Sequence, residues 1–436
     1  MPARPQPKSA PSRTASTPAD LSTDSAQQLS ELEGTNRLRH LRVGTPQGRF
    51  IKVDGRRLLN LASNDYLGLS QHPKLIEAAI EAMQKHGVGA GASRLLSGTQ
   101  RVHDELEKRF AAFKHAEAAL ILPTGYTANL AVLTTLAKAG DLIVMDKLVH
   151  ASLIDAARAS AAEVRTFPHL DLDRAEQVLQ RHTGGRRFIV TDSVFSMDGD
   201  CADLPALCDL ADRYSASLIV DEAHGTGMLG GRGSGLAEQQ NVPARVCTCG
   251  TGGVVVSTAS KAMGSLGGII TAQKAVIDLF INKARPFIYS TAVPPAQAAS
   301  LHAALDLIRD EPDRRHRLAE LASKLRQRLQ HAGWPIDGTR GPQAHPTPII
   351  PLLVGSETAA LELYAKLLDA GIFAPAIRPP TVAPGQCRVR LSLRSDLTDA
   401  DLDQLVHAIG GPGPKTDPSA MSRGTCTSQD LSSERS

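Results

Sequence analysis

No uninterrupted apolar run in this sequence approaches the roughly 18 residues that a bilayer-spanning helix needs. The N-terminus lacks the apolar core of a secretory leader. Charge of one sign is also missing: 48 Lys and Arg stand against 45 Asp and Glu, a formal net charge of +3. So small a balance offers no basis for gripping nucleic acid or an anionic membrane. The six cysteines are Cys201, Cys208, Cys247, Cys249, Cys387 and Cys426, and no two form a CxxC pair. The spacing of a structural zinc site is therefore absent, no metal is expected, and the thiols read as passive in a reducing cytoplasm. Cys247 and Cys249, one residue apart, are expected on the same face of a strand. No internal repeat is visible.

What is present is ordinary soluble composition over 436 residues, 42% hydrophobic and 21% charged, enough for two or three structural units. The ends differ from the middle. Residues 1–25 and 412–436 are Pro/Ser/Thr-rich and without apolar periodicity. Arg4, Lys8 and Arg13 make the N-terminus basic, but its prolines argue against the amphipathic helix of a transit peptide. The expected layout is a disordered tail over 1–34, a segment over 35–60 joining a small domain, a large α/β domain over 61–305, a small α+β domain over 306–411, and a second disordered tail over 412–436.

Within the large domain, helical and strand patterns alternate. Leu75, Ile76, Ala79, Ile80 and Met83 mark one helix face, and Val102, Leu106, Phe110 and Phe113 another. A third helix carries Leu130, Leu133 and Leu136 after Gly125, with Gly140 as its stop. Short apolar runs at 118–122, 142–145, 188–190, 218–220 and 253–256 read as parallel strands covered on both faces. This predicts a doubly wound sheet. Further on, Val389, Leu391 and Leu393 alternate with Arg388, Arg390, Ser392 and Arg394, which predicts a half-exposed antiparallel strand. Thr398 then caps a helix that turns Leu402, Leu405, Val406 and Ile409 inward.

Ligands of such sheets sit beyond the carboxyl ends of the strands. Those ends here read Asp221-Glu222-Ala223-His224, Thr191-Asp192 leading to Ser196, Asp146 with His150, Thr124-Gly125-Tyr126 opening a helix, and Ser257-Thr258-Ala259-Ser260-Lys261. Taken singly, each is more simply a cap, a turn former or a solvated charge. Pyridoxal phosphate needs all of them at once. Its aldehyde needs a lysine, its pyridine nitrogen an anion, its phosphate a helix N-terminus with hydroxyls, and its ring a flat neighbour.

Eight strings occur in order: NDYLGLSxHP from Asn64, GASRLLSG from Gly91, TGYTAN from Thr124, HASL from His150, SVFSMDGD from Ser193, DEAHGTG from Asp221, STASKAMG from Ser257 and AIRPPTVAPG from Ala376. Together, over about residues 36 to 410, they resemble the α-oxoamine synthases, which are fold-type-I pyridoxal-phosphate transferases. AIRPPTV resembles most the branch that joins L-alanine to a pimeloyl thioester, carried on coenzyme A or a carrier protein, in biotin synthesis. The resemblance implies Lys261 as the cofactor's Schiff-base residue and later proton acceptor, Asp221 at the pyridine nitrogen, and His224 with Ser196 at the phenolic oxygen. It implies His150 stacked on the ring, and Gly125, Tyr126 and Thr258 at the phosphate. Asn64, His150, Arg378 and Thr381 would meet substrate, Arg378 by its carboxylate, with Arg39, flanked by Arg37 and Arg42, also implied there. Departures are Ser257 where the family usually has Gly, Asp192 where it has Glu, and Thr124 where it often has Ser. The stretch from Tyr289 to Pro295 resembles a segment that reaches a partner's phosphate site, which implies a homodimer, with the cytoplasm as its expected compartment. The glycine-using ligase, the 5-aminolevulinate and the sphingolipid branches share these cofactor residues and stay open as alternatives. A non-catalytic paralogue does too, though an intact Lys261 with Asp221 and His224 speaks against it.

Overall fold

In the computed structural model, residues 20–336 and 347–413 are described. Residues 1–19 and 414–436, most of both expected tails, lie outside the described residues. The chain divides into two compact units, Met1–Arg42 and Val43–Ser436.

The first unit corrects part of the tail expectation. Leu21–Gly34 is helical, although none of its side chains is buried. Local bonds one turn apart support it, from Gln28 to Asp24 and from Gln27 to Glu31. Its Leu, Gln and Glu are good helix formers, which the low apolar content of the segment concealed.

The second unit is built on a seven-stranded sheet in the order Ala118–Leu122, Gly268–Ala272, Gly253–Thr258, Ala216–Asp221, Arg187–Asp192, Leu142–Asp146 and Glu163–Phe167. All five apolar runs are strands. Gly268–Ala272 alone runs antiparallel to its neighbours, so its first residue stands level with Thr258 on one side and Leu122 on the other. The central strands are buried on both faces, and each enclosed Val, Ile or Leu contributes about 1.5–3 kcal/mol.

The helix Pro73–His86 forms where its apolar spacing places it, but only Leu75 and Ala82 are buried. Ile76, Ile80 and Met83 stay more than a third exposed, which corrects the expectation of one inward face. Cys247 closes a short 3-10 turn, Arg245–Cys247, and Cys249 follows it, so the two do not share a strand. Left-handed Gly250 and extended Gly253 then turn the chain into the strand Gly253–Thr258.

A three-stranded antiparallel sheet places Cys387–Ser392 between Ile349–Gly355 and Ala376–Ile377. A four-stranded sheet joins Gly44–Gln47, Phe50–Val53 and Arg56–Asn60 to Ile372–Phe373. The helix Asp399–Ile409 is capped by Thr398, whose hydroxyl accepts from the Asp401 amide. The expected half-exposed strand is not half-exposed. Arg388, Arg390, Ser392 and Arg394 are at most 5% exposed. Their alternation marks two buried faces, one apolar and one satisfied by polar partners: Arg388 pairs with Asp198, and Arg394 with Asp65 and Asp396.

Candidate active site

The carboxyl edge of the large sheet gathers the polar residues that end its strands. Asp192 and Asp221 are direct neighbours in the parallel register and share a face. Asp221 is buried and held from two sides: Asn129 Nδ2 donates to Oδ2 at 2.7 Å, and the Ala223 amide donates to Oδ1 at 2.8 Å. Burial, and then the charge of Asp221, pushes the Asp192 carboxyl well above the usual carboxylate range. Its Oδ1 accepts the His150 amide at 3.3 Å.

His150 caps the helix Ala151–Ala159. The Asn129 amide that holds Asp221 also donates to Ser152 Oγ at 2.8 Å, and Ser152 Oγ lies 2.7 Å from His150 Nδ1. The Ser152 amide also donates to Nδ1, at 3.3 Å, so Nδ1 is bare, receives the Ser152 hydroxyl hydrogen and leaves the His150 hydrogen on Nε2. One asparagine thus fixes both the anion and the imidazole expected to flank the cofactor ring. The sequence reading missed Asn129 as a site residue. It closes the TGYTAN string and is a lone amide among Ala128, Ala131, Val132 and Leu133 on a buried helix face. An isolated polar group in such a setting is the signal that finds it.

Lys261 follows the strand Gly253–Thr258 in a turn closed by the Gly264 amide on its carbonyl. Gly264 sits at φ +65°, and a Cβ there would come within 2.4 Å of the Ser70 nitrogen, so only glycine lets this turn lie against the 69–70 backbone. Loss of water around the Lys261 amine lowers its pKa to about 8, against the opposing pull of Asp221 and Asp192, with Arg390 lowering it further. His224 is buried. Burial, followed by the charges of Lys261, Arg390 and His150, holds it well below the usual histidine range, so it is neutral near pH 7.

The helix Gly125–Leu136 begins level with this edge. Thr124 caps it by accepting the Thr127 amide, while the Gly125 and Tyr126 amides have no acceptor among the described residues. Glycines let this helix start lie against the neighbouring strands. A Cβ at Gly268 would lie 2.2 Å from the Thr124 carbonyl oxygen, and one at Gly125 would press on Thr258 at 3.3 Å. This is an anion cradle. Thr258 donates to the Gly267 carbonyl, with the Ser260 hydroxyl beside it. Tyr126 is exposed and donates its hydroxyl to Asp155.

The expected substrate residues separate. Arg39 is an exposed residue of the N-terminal unit. Thr381 is exposed in the turn after Pro379 and Pro380, its amide on the Arg378 carbonyl. Arg378 follows Ile377, the last residue of its short strand, and is half-buried next to the turn at Pro379. Its charge is felt at Cys387. The arginine that the structure brings to the site is Arg390. Its Nη1 donates to Asn64 Oδ1 at 3.1 Å and to Ser392 Oγ at 2.6 Å, its Nε to the Ser196 carbonyl at 2.5 Å, and its Nη2 to the Tyr66 hydroxyl at 3.3 Å. All four partners are neutral, and among the described residues Arg390 forms no ion pair. A buried cation without a carboxylate is costly unless an anion arrives. Alternation on what reads as a surface strand hid it.

An activated lysine, a held carboxylate, a neutral histidine and an anion cradle at one sheet edge fit pyridoxal phosphate at each of its chemical ends. Fold and edge together define a pyridoxal-phosphate transferase of fold type I. The chain belongs to the aminotransferase class I and II family, whose model matches residues 56–409. It is 43% identical over 393 residues to the 8-amino-7-oxononanoate synthase of Geobacter sulfurreducens, covering 89% of this chain and 97% of that one. It is 45% identical over 392 residues to the enzyme of the same name from Nitrosomonas europaea, covering 90% and 98%. Among solved structures, a lysine-to-alanine variant of the serine palmitoyltransferase from S. paucimobilis with a bound PLP–myriocin aldimine is similar with a TM-score of 0.82, at 26% identity over 89% of this chain and 97% of that one.

Proposed function

We propose that this chain condenses L-alanine with a pimeloyl thioester to give 8-amino-7-oxononanoate, carbon dioxide and the free thiol. The observation that carries the reading is the unpaired Arg390 facing the same edge as Lys261, Asp221 and His224, in a chain over 40% identical to enzymes of that name. Bound pyridoxal phosphate supplies the electron sink that makes the amino acid's α-carbon acidic. The chain's residues do the rest. Gly125 and Tyr126 would hold the phosphate with their amides, beside Thr258 and Ser260. Asp221, fixed by Asn129, would serve the pyridine nitrogen as its anion, and His150 would be the flat neighbour of the ring. His224, with Ser196 nearby, would serve the phenolic oxygen. Lys261 Nζ would hold the aldehyde and, as a free amine, would accept the α-proton.

Arg390 grips the amino-acid carboxylate, with Asn64 alongside, and so points the α-hydrogen at Lys261. Half-buried Arg378 and exposed Thr381, on either side of Pro379 and Pro380, meet the acyl donor. Val88, Leu95, Leu96 and Tyr289 are large apolar residues between 49% and 80% exposed. They support burial against a second copy of the chain in a homodimer. No helix among the described residues is long and apolar enough to cross a membrane, in keeping with a cytoplasmic enzyme.

The deciding experiment pairs alanine, glycine and serine with pimeloyl, acetyl, succinyl and palmitoyl thioesters. Alanine with pimeloyl is expected to give the highest kcat/KM. Discrimination against glycine is modest, because one methyl is worth only about 1–3 kcal/mol. A higher kcat/KM for glycine with acetyl-coenzyme A would move the chain to the ligase branch.

A further inference from the structure

Tyr66 is fully buried, and its hydroxyl has a single hydrogen to give. That hydroxyl lies 2.7 Å from His224 Nδ1 and 3.2 Å from Asn64 Oδ1, and it receives Arg390 Nη2 at 3.3 Å. Burial keeps the phenol protonated and the imidazole neutral. A neutral imidazole has one N–H, so two arrangements compete. In the first, His224 Nδ1–H donates to Tyr66, and Tyr66 turns its hydrogen to Asn64. In the second, Tyr66 donates to a bare Nδ1, and the imidazole hydrogen sits on Nε2.

Two observations favour the second. Asn64 Oδ1 is already served by Arg390 Nη1 at 3.1 Å, so it has less need of the Tyr66 hydrogen. A guanidinium donating to the phenol oxygen also withdraws electron density from it, making the hydroxyl a stronger donor and a weaker acceptor. The shortest of the three contacts, the one to Nδ1, is then the bond that Tyr66 donates.

We infer that Tyr66 is a positioning residue that holds His224 as its Nε2–H tautomer, so that His224 presents a donor to the cofactor's phenolic oxygen. The donor's target rests on the pyridoxal-phosphate reading above, whereas the tautomer itself does not. Without the Tyr66 hydroxyl, the imidazole is free to move its hydrogen to Nδ1. Nε2 then becomes an acceptor facing an oxygen that is itself an acceptor.

The test is Tyr66→Phe, which removes one oxygen and keeps the ring's packing. Imidazole nitrogen NMR reads the tautomer in protein as purified and after saturation with pyridoxal phosphate, the His224 signals being those lost in His224→Gln. Wild type is expected to show a bare Nδ1 and a protonated Nε2. Tyr66→Phe is expected to lose that preference. With cofactor bound, its visible band shifts and kcat falls about ten-fold while the amino-acid KM stays nearly constant, as expected for one lost neutral hydrogen bond. A protonated Nδ1 in wild type, or an unchanged tautomer in Tyr66→Phe, overturns the inference. If the variant does not fold, the wild-type spectrum still decides, a bare Nδ1 supporting the inference. If wild type takes up no cofactor, the functional reading fails while the nitrogen spectrum still reports on Tyr66.

Discussion

Lys261 carries the most direct consequence at the scale of single residues. An amine reacts with an aldehyde only when unprotonated. With its pKa drawn down to about 8, about a tenth of Lys261 is in that form at pH 7, against about three in ten thousand for an ordinary lysine. The rate at which cofactor-free protein takes up pyridoxal phosphate should therefore rise with pH through about 8 and then level. A rise that continues toward pH 10 would show an unperturbed amine. Lys261→Ala should abolish turnover and the cofactor's visible band while the protein still folds, and borohydride should label Lys261 in wild type. Arginine provides the second residue-scale test. Arg390→Lys removes the charge-assisted bond from the one Nη2 hydrogen that the protein leaves uncommitted, so the KM for alanine should rise on the order of ten- to a hundred-fold. Arg378→Lys should leave that KM within about two-fold, because a conservative change off the carboxylate's path removes no such bond. The reverse ranking in steady-state kinetics would restore Arg378 as the carboxylate residue.

The segment from Ser193 to Cys201 shows at the scale of elements how the site is braced. It leaves the strand Arg187–Asp192 and lends its Asp198 carboxylate to Arg388, its Ser196 carbonyl to Arg390 and its Gly199 carbonyl to Thr347. It thereby ties the large sheet to the three-stranded one. His169 anchors the segment, bonded to Asp146 at 3.0 Å and Asp200 at 3.3 Å, and these two carboxylates raise its pKa to about 9 despite burial. A raised histidine pKa contributes stability that is complete below about 6.5, declines above it and is gone once pH has risen through about 9. His169→Gln should thus cost about 1–3 kcal/mol at pH 6. Its Tm deficit relative to wild type should shrink as pH rises to 10. A deficit constant from pH 6 to 10 in calorimetry would mean that His169 is not charged in the folded protein.

Assembly is the property that belongs to the whole molecule. The exposed apolar side chains Val88, Leu95, Leu96 and Tyr289 are the ground for the proposed pairing with a second copy. Sedimentation at assay concentration should find a dimer. Leu96→Glu should weaken it and lower activity in parallel, because a charge carried into a closed apolar contact has no partner there. A fully active monomer would show that one copy completes its own site.

The sequence by itself determined the sheet and which polar residues stand at the ends of its strands. Apolar runs buried on both faces can hardly be anything but covered strands, and a ligand to such a sheet must lie where those strands end. Reading past each run therefore reached Asp221, His224, His150 and Lys261 without knowledge of any contact. The motif strings supplied the order. Only the tertiary structure decided which arginine stands unpaired, that Asn129 fixes Asp221 and His150 together, and that Tyr66 reaches His224. The physical reason is common to the three. A polar residue is free, satisfied or costly according to which groups from distant parts of the chain lie within hydrogen-bond reach. Arg390 meets Asn64 and Tyr66 across more than 300 positions of sequence. Alternation along its own strand reads the same whether the opposite face meets water or, as here, a buried set of neutral acceptors that leave the guanidinium without a counter-anion.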